Sequence, residues 1–134
     1  MITENEDSQQ ANNLINIITF NVRATKTVTD DGIIPWINIA RANEEILNLV
    51  DADELVIAEK EVSISIDYPF ENPETFSLIS PIGFTRTQLL IAIREKFITF
   101  AKAQNIEIDA LDLVSLDVYK TDSGSIEITL DIDL

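Results

Sequence analysis

Acidic side chains are the groups in this sequence whose number and spacing could support chemistry. The 134 residues include 24 Asp and Glu against nine Lys and Arg, and they contain no His and no Cys. Without His or Cys, the chain has no material for a Ser-His or Cys-His catalytic arrangement, a disulfide or a thiolate metal site. The chemistry that remains is carboxylate acid–base catalysis, or a Mg²⁺ or Ca²⁺ site made of oxygen ligands.

Two clusters of carboxylates are candidates for such a site. The first consists of Asp51, Asp53 and Glu54, and the second of Asp109 and Asp112. Neither follows the calcium-loop pattern, which needs alternating ligands, a central Gly and a Glu at its last position. We therefore interpret both as solvated loop acids and predict no metal, no cofactor and no catalytic residue. A carboxylate enzyme with a divalent ion is the second alternative function.

A third set of acids falls on predicted strands. Alternation along the last strand places Glu127, Asp131 and Asp133 on one face, and Asp117 lies on the neighbouring strand near them. One interpretation is the ordinary solvent-facing side of an antiparallel sheet. The other is a docking face for a basic partner, because complementary potentials steer association.

The net charge of −15 limits the classes of partner. It argues against direct binding of nucleic acid and against an anionic membrane surface, because the phosphates of both are repelled. A protein partner remains, either a second copy of the chain or a basic host protein. The first alternative function is therefore an acidic mimic of nucleic acid that inhibits a basic nucleic-acid-binding protein.

Period-two alternation of apolar and polar residues predicts the strands that carry these acids. Turns with Pro69 and Pro73, and with Gly124, indicate two hairpins. The first strand ends before the turn Asp30-Asp31-Gly32. The predicted strands are 14–28, 62–68, 74–80, 114–119 and 126–134.

One long helix, from 85 to 104, is predicted by a capping box. Thr85 can accept from the backbone of Gln88 while Gln88 reaches back, with Phe84 placed as a hydrophobic staple. A shorter helix is predicted at about 40–50. The fold class is therefore α+β, a mainly antiparallel sheet with the long helix on one face. The apolar stripe expected to face the sheet is Leu89, Leu90, Ile93, Phe97, Phe100 and Ala101.

Ile91 and Ile98 fall on the side of this helix opposite the apolar stripe, by its period of 3.6 residues. They have two interpretations. Either they pack against a loop or the shorter helix, or they form a subunit contact. They are the candidate residues for self-association.

The segment from Tyr68-Pro69 to about Phe100 contains Phe76-Ser77-Leu78 and then Gly83-Phe84-Thr85-Arg86 before Leu89. This segment, about a quarter of the chain, resembles one found in small uncharacterised proteins of large DNA viruses, phages and protists. Its motifs are structural: a strand end, a turn and a capped helix. The resemblance implies a viral or mobile-element origin and no activity.

Residues 1–13 are polar without apolar periodicity and predict a flexible tail, followed by a single α+β domain over 14–134. No apolar run has the roughly 20 residues of a membrane-spanning helix, and the acidic N-terminus does not resemble a secretory signal. The absence of Cys fits the cytoplasm, or a virion if the protein is viral. The function predicted by elimination is a non-enzymatic, acidic interaction or structural protein that self-associates.

Overall fold

The computed structural model describes residues 12–23 and 32–133. The predicted tail therefore lies outside the described residues for 1–11, and its last two residues begin the first strand. Within the described part, ten strands and one long helix follow each other along the chain. The strands are β1 (Asn12–Thr19), β2 (Val22–Arg23), β3 (Ile33–Ile34), β4 (Ile37–Asn38), β5 (Leu55–Ile57), β6 (Glu61–Ile66), β7 (Glu74–Ile79), β8 (Phe84–Thr85), β9 (Asp112–Thr121) and β10 (Ile126–Asp133), and the long helix is Arg86–Gln104.

The main sheet has the strand order β1-β9-β10-β6-β7, and β4 pairs with the start of β9. The predicted hairpins β6–β7 and β9–β10 are both present. All pairs in this sheet are antiparallel except β10 with β6, which run parallel. The predicted class, α+β with a mostly antiparallel sheet and one long helix, is confirmed.

The long helix begins where the capping box predicts. The Thr85 hydroxyl accepts from the Gln88 backbone N–H at 3.1 Å, and the Gln88 side-chain oxygen accepts from the Thr85 N–H at 2.7 Å. Asn105 ends the helix in the left-handed conformation with φ of 59°. The buried stripe of the helix and the inner face of the sheet form a single hydrophobic core. Helical residues of this core are Leu89, Leu90, Ile93, Phe97 and Ala101.

The shorter helix predicted at about 40–50 is wrong. The chain makes only one α-helical turn, Ala42–Glu45, and one 3-10 turn, Ile46–Asn48. No side chain caps the start of the first turn. The residues that follow the second turn pair with the β2 region. Leu49 bridges to Val22, and the Val50 N–H donates to the Asn21 carbonyl at 2.8 Å.

The first strand is shorter than predicted. It ends at Thr19, and after Phe20 and Asn21 the two residues of β2 pair with β3 instead of continuing the main sheet. Phe20 and Val22 are buried all the same, so the apolar alternation was a true signal of burial but not of one continuous strand. The remaining part, 24–28, lies outside the described residues.

Candidate interaction surface

The main sheet buries one face and leaves the other open. Successive side chains of a strand point to opposite faces, and residues paired across an antiparallel register share a face. We call "the open face" the odd-numbered residues of β6, β7 and β10 together with Ile17 of β1 and Ser115, Asp117, Tyr119 and Thr121 of β9. All of these side chains are exposed or half-buried except Ser115.

Three of the four predicted acids come together near the middle of the open face. Asp117 lies opposite Thr129, and Glu127 and Asp131 flank Thr129 along β10. They therefore occupy the diagonal positions, where cross-strand neighbours are about 7–8 Å apart. The fourth acid, Asp133, lies beyond a β-bulge that follows Asp131.

Asp133 is paired with Asp112 at the end of the sheet. Asp112 belonged to a different predicted cluster, so the structure adds a further acid to the same surface. No Lys or Arg occupies an open-face position on the described strands. The open-face positions of these strands therefore carry charge of one sign, which raises the local concentration of cationic groups.

A groove of about 570 Å³ opens at one end of the open face. It runs between the start of β6 and the β9–β10 turn, and hydroxyls of Ser63, Ser77 and Ser125 line it. Lys60, in the loop before β6, lines it as well. Glu59 and Glu61 line it too, so acids and hydroxyls occur together at this end of the open face.

The predicted cluster Asp51, Asp53 and Glu54 is part of a structural junction. The Glu54 carboxylate is 2.8 Å from Nη1 of Arg86, and the same nitrogen donates to the Asp51 carbonyl at 2.8 Å. Nε of Arg86 donates to the Thr19 carbonyl, also at 2.8 Å. One guanidinium thus joins β1, the loop 51–54 and the start of the long helix.

The predicted pair Asp109 and Asp112 also serves the fold. Nδ2 of Asn38 donates to the Asp109 carbonyl at 2.9 Å and lies 3.4 Å from Oδ1 of Asp112. Among residues 12–23 and 32–133, no group of three or more acidic side chains is arranged to hold a metal ion. One carboxylate of each cluster, Glu54 and Asp112, therefore has a structural partner, while Asp51 and Asp109 take part through their backbone carbonyls.

Ile91 and Ile98 lie on the outer side of the long helix. Ile91 is 45% exposed and lines a cavity of about 220 Å³ with Ala42 and Ile46. Ile98 is half-buried. The 42–48 turns therefore lie beside Ile91, and a subunit contact through this pair stays a prediction.

Sequence reasoning missed the role of Arg86. The available signal was its position, because a cation in the first turn of a helix opposes the helix dipole and is uncommon without an acceptor. The acceptors lie 32 to 67 residues away along the chain. No local pattern could therefore name them.

No protein-family model, curated protein or solved structure matches this chain. The resemblance to proteins of large DNA viruses, phages and protists stays a prediction. No helix in the described part of the chain is both long enough and apolar enough to cross a membrane.

Proposed function

We propose that this chain is a non-enzymatic interaction protein that self-associates and presents its open face to a basic protein. The observation that carries the proposal is the open face itself. The main sheet, with five main strands and the short β4, has one face in the core and the other at the surface. Such a sheet is a rigid platform, and platforms built on strands hold side chains more accurately than loops do. In each of the two loop clusters one carboxylate has a structural partner, Glu54 with Arg86 and Asp112 with Asn38.

The chemistry of the open face selects a basic partner. Asp117, Glu127 and Asp131 lie within one cross-strand neighbourhood, and the strands around them bring no cation to that face. Attraction between exposed charges steers association and falls off within about 8–10 Å at physiological ionic strength. The bound protein must therefore carry Lys or Arg on the surface that meets the sheet.

A nucleic-acid-binding protein is the partner class that would make the chain an acidic mimic. Such a protein already presents a basic surface to phosphates. The experiment is affinity capture from host extract at low salt with the full chain, followed by competition with duplex DNA or RNA. Mimicry expects a captured basic protein that nucleic acid displaces. A basic protein that nucleic acid leaves bound supports docking without mimicry, and capture of no basic protein contradicts the proposal.

The position of the charge is tested with matched variants. Asp117→Asn with Asp131→Asn removes two charges from the open face, and Glu71→Gln with Glu107→Gln removes two from exposed loops elsewhere. We expect the first pair to slow association by about tenfold at low salt, with the difference shrinking at high salt. The loop pair should have a much smaller effect. Equal effects would mean that net charge alone governs binding.

A further inference from the structure

The main sheet has two outer edges, and one of them is interrupted by an irregularity. The register of β1 against β9 shifts between Leu14 and Asn16, which marks a β-bulge. The Ile17 N–H is already bonded to Oδ1 of its neighbour Asn16 at 2.9 Å. Bulges and occupied backbone groups are features by which natural sheets block edge-to-edge pairing.

The opposite edge, β7, is regular and open. Its register with β6 runs without a shift from Glu74 to Ile79. The Ser80 N–H donates to the Lys60 carbonyl at 2.8 Å, which fixes the even-numbered residues of β7 as those that bond to β6. The N–H and C=O groups of Thr75, Ser77 and Ile79 therefore point away from β6. Among the described residues, no backbone group of a loop or turn bonds to them.

We propose that β7 of a second copy of this chain pairs antiparallel with this edge, with Ser77 opposite Ser77 of the second copy. The inference rests on the self-association in the proposed function and names its surface. Thr75 then lies opposite Ile79 of the second copy, and the three outward residues of each strand form six backbone hydrogen bonds. The pairing is symmetric, as a twofold contact between identical chains requires.

The charges along this edge allow two copies to meet. Two copies with net charge −15 each repel one another, so a contact must avoid joining acids. The paired positions Thr75, Ser77 and Ile79 are uncharged, and Ile79 is 78% exposed, leaving apolar area to bury. Glu74 would lie opposite Ser80 of the second copy, whose neighbour in the next strand is Lys60.

The pairing produces one continuous sheet of ten main strands. Residues opposite each other in an antiparallel pair share a face, so both open faces lie on the same side and both long helices on the other. A single strand pair is a small interface, below the roughly 1,200 Å² of a standard complex, so we expect a weak dimer.

The test is sedimentation of the full chain from about 10 µM to about 1 mM, at low and at high salt. We expect a monomer–dimer equilibrium that strengthens with salt, because screening weakens the repulsion between the two acidic copies. Docking of a basic protein has the opposite salt dependence, so the two surfaces can be tested independently.

Two variants address the edge directly. Ser77→Pro removes an N–H that makes no bond to β6, so the edge strand should tolerate the substitution. The variant should weaken the dimer at least about tenfold, because two of the six backbone bonds between the copies are lost. Ser77→Ala keeps the backbone donor and is its control. Ile79→Lys should also weaken the dimer, even though it reduces the negative charge that makes two copies repel. Ile17→Lys on β1 is the control with the same charge change.

Each outcome decides a different claim. Loss of the dimer in Ser77→Pro and Ile79→Lys but not in their controls supports pairing through β7. Circular dichroism checks the folding of each variant. If Ser77→Pro does not fold, the result for Ile79→Lys decides whether the copies pair through β7. A dimer that survives both but is lost in Ile91→Glu or Ile17→Lys overturns the β7 edge and keeps self-association. A monomer at every concentration and salt overturns self-association itself.

Discussion

Replacing Arg86 by Met tests whether one guanidinium holds the junction between β1, the loop 51–54 and the long helix. The Arg86 side chain is 11% exposed and donates to the Thr19 carbonyl, the Asp51 carbonyl and the Glu54 carboxylate, each at 2.8 Å. Met retains an unbranched chain and a similar helix propensity. The change in stability therefore reports mainly on the three lost interactions.

The magnitude follows from what each acceptor loses. Loss of the Arg86 donor costs about 1–3 kcal/mol at the part-buried Thr19 carbonyl. It costs about 0.5–1.5 kcal/mol at the Asp51 carbonyl, which still accepts from the Glu54 N–H at 3.1 Å. The Glu54 side chain is 56% exposed, so water rehydrates its carboxylate and that ion pair adds about 0–1 kcal/mol. We expect Arg86→Met to lower the free energy of unfolding by about 2–5 kcal/mol, toward the lower end where water reaches the carbonyls.

Urea unfolding followed by circular dichroism measures this difference, with an unchanged dependence on denaturant as the sign that only stability changed. Glu54→Gln is the matched control and should cost no more than about 1 kcal/mol. Arg86→Lys should fall between the two, because an ammonium keeps the charge but cannot reproduce the geometry of Nε and Nη1. A cost for Arg86→Met no larger than that of Glu54→Gln would refute the reasoning.

Two further changes test the core and a close backbone contact. Phe97→Ala should lower the free energy of unfolding in urea by about 3–5 kcal/mol, because Phe97 is fully buried with its ring centroid 5.0 Å from that of Phe70. A near-zero change would mean that the helix does not pack as described. Gly83→Ala should lower the melting temperature more than Gly124→Ala. Both glycines have positive φ, but of the two only Gly83 would place a Cβ against the Ile57 carbonyl oxygen. Equal losses of melting temperature would contradict this contact.

The parts of the fold that the sequence predicts are those with local causes. The capping box of Thr85 and Gln88 lies within four residues, and it predicts the start of the helix to within one residue. The two hairpins join neighbouring strands through short turns, so alternation and turn residues suffice to predict them. Three of the four candidate acids also follow from alternation, because the period of two decides which face a side chain takes.

The parts that the sequence did not predict depend on distant partners. The parallel pairing of β10 with β6 joins residues more than 60 positions apart, and no local pattern distinguishes it from an antiparallel neighbour. The helix predicted at 40–50 does not extend to residue 50, where Leu49 and Val50 pair with Val22 and Asn21. The acceptors of Arg86 are distant in the same way. In each case a tertiary interaction overrides a local propensity.

The two proposed surfaces are thermodynamically coupled. A basic protein on the open face neutralises part of the charge that makes two copies repel, so it should favour pairing through β7, and pairing should favour the basic protein by the same factor. The geometry adds a second reason, because the pairing puts both open faces on one side and lets one extended partner contact both. The apparent affinity for a basic protein should therefore rise with the concentration of the chain, and Ser77→Pro should abolish that rise.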